Sequence, residues 1–377
     1  MTRAFVCVLD GVGAGALPDA EAFGDAGADT LRHTIEATGV ALPNLAALGL
    51  GAITGLPLGE PRADATYGRL LETSPGKDTT TGHWEMMGLI LPHAFPTYPH
   101  GFPPEVILPF EKAIGRRVLA NHPASGTEII DRLGAQHLAT GRPIVYTSAD
   151  SVFQIAAHEE IVPLELLYEW CRIARKILTG PHAVGRVIAR PFVGAPGAFA
   201  RTRNRRDFSL LPPGLTYLDL LSERGLHVAG VGKIGEIFVM RGIAESHHIE
   251  SNADGLAQSL RLLGEMDEGL LFTNLVDFDM VWGHRNDAEG FARGLAEVDA
   301  AVPAIVAALR SDDLLVFCAD HGVDPTTPGT DHTREYSPLM ALGLAPGRYE
   351  GRLEDVGATV FRRLTGEAPA LTGSVIP

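Results

Sequence analysis

The sequence predicts an α/β fold with a mainly parallel central sheet and a second α/β domain inserted into it. Three observations lead there. Short apolar runs rich in β-branched residues recur along the chain, as strands buried on both faces of a parallel sheet do. Helical patterns lie between the runs, and such alternation builds a sheet covered on both faces. Two proline-rich segments, one with histidine and aromatics and one with glycine and arginine, bracket a middle region of different character.

The elements follow in order. AFVCVLD (4–10) is the first predicted strand. Around 93–105 the chain turns to proline, histidine and aromatics (HAFPTYPHGFPP), and around 191–214 to proline, glycine and arginine. The region between them has the size of an independent unit, so the predicted division is a core of 1–95 and 217–377 with a cap of 96–216. Beyond it, HVAGVG (227–232), LLFTNLVDFD (270–279), LLVFCAD (314–320) and PLMALG (338–343) continue the set of buried parallel strands. Between 290 and 310, Phe291, Leu295, Val298, Val302, Ile305 and Leu309 recur at helical spacing.

Composition narrows the function. The 377 residues are 45% apolar and 20% charged, enough for two or three domain-sized units. A net charge of −15 and a pI near 5.4 argue against a nucleic-acid or anionic-membrane partner. Cys7, Cys171 and Cys318 stand at unrelated spacings; Cys7 and Cys318 lie in apolar runs and read as buried thiols of a reducing compartment. Asp10 ends the first apolar stretch too early for a signal peptide. Residues 38–59 are uncharged, but Pro43, Asn44, Pro57 and repeated glycines speak against a membrane span. A soluble, cytoplasmic protein is expected, with no obligatory protein partner and as a monomer.

In open α/β sheets ligands bind beyond the carboxyl ends of the strands. Asp10, Asp279 and Asp320 fall at or near such ends. VDFDMVWGHRND adds His284, FCADHGVD adds His321 beside Asp320, and TDHTRE adds His332. Mixed oxygen and nitrogen donors of this number suit two divalent ions, each with about three protein ligands and open positions. Taken singly, each Asp could cap a helix and each His be a satisfied surface group. GKDTTTGHWE (76–85) is not a P-loop, because Asp78 follows Lys77 where Ser or Thr is required. Its threonines are instead candidate nucleophiles beside a metal cluster, with Thr79 best placed and Thr80 and Thr81 open as turn residues. GVGKIG (230–235) fits the dinucleotide fingerprint, but a lone match leaves the Asp/His pairs unexplained.

LDGVGAGALPDA, GKDTTTGHWEMMG, TNLVDFDMVWGHRND and ADHGVDPTTPGTDHTREYSPLM together closely resemble the prokaryotic phosphopentomutases of the alkaline phosphatase superfamily. The resemblance runs along essentially the full length, with no departure at the matched positions. It implies an alkaline-phosphatase-like core and Thr79 as a nucleophile carried as phosphothreonine. It implies one divalent ion, usually manganese, at Asp279, His284 and His332. A second would lie at Asp10, Asp320, His321 and the Thr79 oxygen. YTSADSVFQ (146–154) suggests Ser148, Asp150 and Val152 for substrate binding, followed by Arg186, Ile188 and Arg201 in the cap and Lys233 in the core. A pentose phosphate needs guanidinium forks for its phosphate and a carboxylate for its hydroxyls, while Arg203, Arg205 and Arg206 read as solvated surface. The implied reaction interconverts (2-deoxy)ribose 1-phosphate and 5-phosphate through a 1,5-bisphosphate, primed by a sugar 1,6-bisphosphate. The rivals are a metal-dependent phosphomonoesterase, a cofactor-independent phosphoglycerate mutase, a nucleotide-dependent oxidoreductase and a non-enzymatic metal-binding protein.

Overall fold

The computed structural model describes residues 2–148 and 150–377. Its contacts divide the chain into two compact units, one running to Ala94 and resuming with Leu211–Pro377, the other Phe95–Leu210. In chain order the first unit contributes β1 (Arg3–Leu9) and β2 (Ala65–Leu71). The insert holds β3 (Leu119–Pro123), β4 (Ile144–Thr147), β5 (Val152–His158), β6 (Arg186–Val193), β7 (Ala200–Arg201) and β8 (Arg206–Ser209). The first unit resumes with β9 (Val228–Val231), β10 (Glu245–His247), β11 (Gly269–Leu275), β12 (Leu314–Cys318), β13 (Ser337–Leu342) and β14 (Gly347–Arg352).

In the first unit the strands lie in the order β10-β9-β11-β1-β12-β13-β2-β14. β1 runs parallel to both β11 and β12. All seven of its residues are buried, and from Ala4 to Leu9 it reads as an unbroken apolar run. The helix Ala288–Ala308 lays Phe291, Leu295, Val298, Val302 and Ile305 into the same core as Phe5, Cys7 and Leu9. In the insert the order is β3-β4-β5-β6-β7, with β8 also pairing with β6. Helices Pro104–Ile114 and Leu164–Ile177 cover one side of that sheet through Phe110, Leu167 and Trp170. Helix Gly126–Thr140 packs Ile129 and Ile130 against Tyr146 and Phe192.

Three details differ from the sequence reading. PLMALG forms β13, which is antiparallel to β12 and β2 rather than parallel. No helix lies between Cys318 and Ser337, and without a crossover a chain returns beside its own strand in the opposite sense. The run 270–279 is strand only to Leu275, and Asp279 rides on the short π-helical turn Phe278–Trp282. Residues 211–216 belong to the first unit, where Pro212 O accepts from Arg241 Nη1 and Thr216 caps the helix Tyr217–Glu223. GVGKIG opens only the one-turn helix Ile234–Ile237, too short for the helix of a dinucleotide-binding unit. Among the described residues no helix is long and apolar enough to cross a membrane.

Candidate active site

The three strand-end acids meet because β11, β1 and β12 are adjacent and parallel. Asp10 follows β1 directly, Asp320 lies just past β12, and Asp279 shortly past β11. Gly11 turns the chain with a φ of +79°, and a Cβ there would sit 2.5 Å from Val323 Cγ1. Glycine is what permits this turn, and it lets Gly11 N donate to Asp320 Oδ1 at 3.0 Å.

The potential ligand atoms of Asp10, Asp320 and His321 form one close group, and those of Asp279, His321 and His332 another. His321 stands between the two, its Nε2 3.3 Å from Asp10 Oδ1 and 3.5 Å from Asp320 Oδ2. Its ring stacks on His332 at 4.0 Å between centroids. His284 Nε2 and His332 Nε2 lie 3.2 and 3.0 Å from Asp279 Oδ1. All six aspartates and histidines expected as ligands are therefore gathered, with His321 belonging to both groups.

The donor set fits divalent cations on two counts. Asp10 Oδ1, Asp279 Oδ1, Asp320 Oδ2 and His332 Nε2 are buried without a hydrogen-bond partner, and such atoms are costly unless charge-paired or metal-bound. Each histidine also spends Nδ1 on a backbone carbonyl, His284 on Thr330, His332 on Lys77 and His321 on Gly322. That leaves Nε2 bare toward the carboxylates, the tautomer a metal-binding imidazole needs.

Electrostatics express the crowding. Burial, and then the Asp320 carboxylate, hold Asp10 above the usual carboxylate range. Burial also pushes Asp279 upward, but His332, His321 and His284 outweigh it and leave the group below its ordinary value. For His321 burial opposes the charged form, yet Asp320 and Asp10 raise it well above an ordinary imidazole.

Thr79 is the first residue of the helix Thr79–Met86. Asp78 is its N-cap, accepting from Thr80 N and Thr81 N at 3.1 Å each, a standard way to satisfy the first orphan donors. Thr81 also donates its hydroxyl to Asp78 Oδ2 at 2.5 Å and is buried. Thr79 Oγ1 instead lies 3.2 Å from His321 Nε2.

Several residues of this region escaped the sequence reading. Arg334, 2% exposed, donates to Glu72 Oε2, Ser74 O and Gly76 O through Nη1 and to Glu72 O through Nη2. Together with the His332–Lys77 bond it ties the strand of chain before Thr79 to the segment that bears His332. Glu335 accepts from Gly15 N and Thr30 N on one oxygen and from the Thr30 and Thr333 hydroxyls on the other. Their only hints in the sequence are their places beside motif residues: Arg334 and Glu335 belong to TDHTRE.

Burial lifts Glu335 to about 7. Between its ordinary value and about 7 the unfolded chain has lost this proton while the folded chain keeps it, so stability falls as pH rises and levels off above. The shift is worth about 3 kcal/mol. Glu335→Gln is therefore expected to remove that slope, because the two hydroxyls can turn to accept from the amide. Urea titrations of both proteins at about pH 5 and pH 8 should show the variant gaining on the wild type toward pH 8.

The residues assigned to substrate fall into the two units. In the insert, Val152 opens β5 and pairs with Arg186 in register, while Ile188 lies opposite Gln154. Val152 and Ile188 are buried, Ser148 is half-buried, and Asp150 and Arg201 are exposed. Arg186 reaches Asp207 at 3.6 Å and Asp150 at 4.0 Å. Lys233, in the first unit, caps the helix Ile234–Ile237 just past the carboxyl end of β9, on the same sheet edge as the acids.

Known proteins resemble the chain along nearly its whole length. The chain is 56% identical to a phosphopentomutase of Caldanaerobacter subterraneus over 96% of this chain and 93% of that protein. It belongs to the phosphopentomutase family. A phosphopentomutase of Anaeromyxobacter is likewise 56% identical over 95% and 94% of the two chains. Residues 2–368 match the model of the Metalloenzyme superfamily. The fold is shared with the PH0037 protein of Pyrococcus horikoshii at 14% identity and a TM-score of 0.50, covering 97% of both chains.

Proposed function

We propose that the protein interconverts ribose 1-phosphate and ribose 5-phosphate, and their 2-deoxy counterparts, by way of a phosphothreonine at Thr79. The reading is carried by the Thr79 hydroxyl, which starts a helix 3.2 Å from His321 Nε2 among the strand-end carboxylates. Relatives named phosphopentomutase support the choice of substrate. The free sugar hydroxyl attacks the phosphorus of phosphothreonine, the P–Oγ1 bond breaks, and the hydroxyl proton ends on Thr79. The 1,5-bisphosphate reorients, and Thr79 takes back the other phosphoryl group. A glucose 1,6-bisphosphate would prime an unphosphorylated enzyme.

Two divalent cations, most fittingly Mn2+, would be held by Asp279, His284 and His332 and by Asp10, Asp320, His321 and Thr79, and would supply charge neutralisation of the phosphoryl group. The positive end of the Thr79 helix favours negative charge at its first residue. Ser148, Asp150, Val152, Arg186, Ile188, Arg201 and Lys233 are assigned to the sugar and to the phosphate not in transfer, with arginine forks matched to its oxygens. Three buried, free cysteines suit the reducing cytoplasm.

Phosphorus NMR of the protein with Mn2+, a trace of glucose 1,6-bisphosphate and ribose 5-phosphate tests the proposal. A ribose 1-phosphate resonance without accumulating inorganic phosphate is expected. Inorganic phosphate alone would replace this reading with a phosphomonoesterase.

A further inference from the structure

We propose that His83 is a positioning residue for the Asp10/Asp320 ion site and for Thr79, holding all three through one buried imidazole. His83 is fully buried on the helix Thr79–Met86, one turn after Thr79. Its Nδ1 lies 2.9 Å from Thr79 O and 3.1 Å from Asp320 Oδ2. Its Nε2 lies 3.3 Å from Asn274 Nδ2, and the same amide donates to Asp10 Oδ2 at 2.8 Å.

The directions of these bonds follow from the groups. An ionised carboxylate only accepts, so the Asn274 amide faces Asp10 with its NH2 and offers a second hydrogen to His83 Nε2. Nε2 then accepts, and Nδ1 carries the hydrogen taken by Thr79 O, with Asp320 Oδ2 in reach. The imidazole thus joins the peptide of Thr79, the carboxylate of Asp320 and, through Asn274, the carboxylate of Asp10.

Geometry around the ring keeps it there. The helix lies directly against the end of β12, because a Cβ on Gly82 would stand 2.2 Å from Asp320 O. Phe272 packs beside the ring at 5.9 Å between centroids. Asp320 Oδ1 is held separately by Gly11 N, so His83 governs the other oxygen, the one that faces His321 at 3.5 Å. Among the described residues nothing comparable reaches the second group: His284 and His332 are oriented by Thr330 O and Lys77 O. Loss of His83 therefore acts on one ion site and spares the other. Partners that orient ligands in this way typically cost about 10–100-fold in metal affinity when removed.

The inference rests on the two-ion reading above, and its test separates the two. Demetallated protein is titrated with Mn2+ by calorimetry, and the step belonging to the Asp10 site is assigned as the one that Asp10→Asn abolishes. In His83→Phe that step should weaken by about 10–100-fold while the other keeps its wild-type affinity. Ribose 5-phosphate turnover should show a lower kcat with KM little changed. Two polar variants guard against a phenylalanine variant that does not fold. In His83→Asn the side-chain amide nitrogen can stand near the place of Nδ1, so the Asp10-site step should survive better than in His83→Gln, whose amide stands nearer Nε2. Wild-type affinity at both sites in every variant, equal weakening of both sites, or Gln surpassing Asn would each overturn the role of His83. Wild-type protein binding fewer than two ions would overturn the two-ion reading itself, and the inference with it.

Discussion

Thr79→Ala is expected to lower ribose 5-phosphate turnover by at least about 10^4-fold, the scale of losing a nucleophile that acts with its neighbours as a unit. The hydroxyl removed is the one 3.2 Å from His321 Nε2, and Thr81 cannot replace it. Thr81 Oγ1 is engaged with Asp78 and buried. Folding should suffer little, since alanine is a good helix former at a first-turn position whose cap, Asp78, stays in place. Manganese binding should persist, because Asp10, Asp320 and His321 remain to hold the ion beside Thr79. Incubation with glucose 1,6-bisphosphate followed by intact-mass measurement should show one added phosphoryl group on the wild type and none on the variant. Turnover at the wild-type rate would mean that the phosphoryl group is carried elsewhere.

Stripping the protein of divalent ions with a chelator is the second large effect. Asp10, Asp279 and Asp320 bring three carboxylates to one sheet edge, each with a buried oxygen that lacks a hydrogen-bond partner. Cations bound among them offset both their desolvation and their mutual repulsion. At an ion concentration about 100 times Kd, each site adds about 2.7 kcal/mol to the folded state. Losing two such sites lowers Tm on the order of 10 °C. Activity should disappear with the ions and return with Mn2+, and calorimetric scans with and without chelator measure the stability part. An unchanged Tm and full activity in chelator would remove the ions from both fold and reaction.

Much of the site was legible because its residues sit at the ends of apolar runs. A strand buried on both faces announces itself locally, and β1, β11 and β12 are such strands. Once they are read as parallel neighbours, Asp10, Asp279 and Asp320 must emerge together. The two strands at the β14 end of the sheet were harder. β14 alternates half-buried and exposed residues, and β2 is buried on one side only along most of its length. Neither makes a continuous apolar run, and both went unread. The residues that hold the site were hidden for another reason. Arg334 and Glu335 look like ordinary surface charges in a polar loop, and nothing local tells that their partners lie at Glu72 and Thr30.

The sequence by itself determined the α/β class, the acids at or near strand ends with histidines close by in the chain, and the family. Those features are local: periodicity, strand ends and short motifs are written in neighbouring residues. Only the tertiary structure decided that β13 returns antiparallel, that His321 stands between both carboxylate groups, and that His83, Asn274 and Arg334 orient the groups around them. Each of these depends on contacts between residues far apart in the chain, from Asp10 to Asn274 or from Glu72 to Arg334. Chain folding alone brings such residues together, and buried polar groups then settle which orientation satisfies them all.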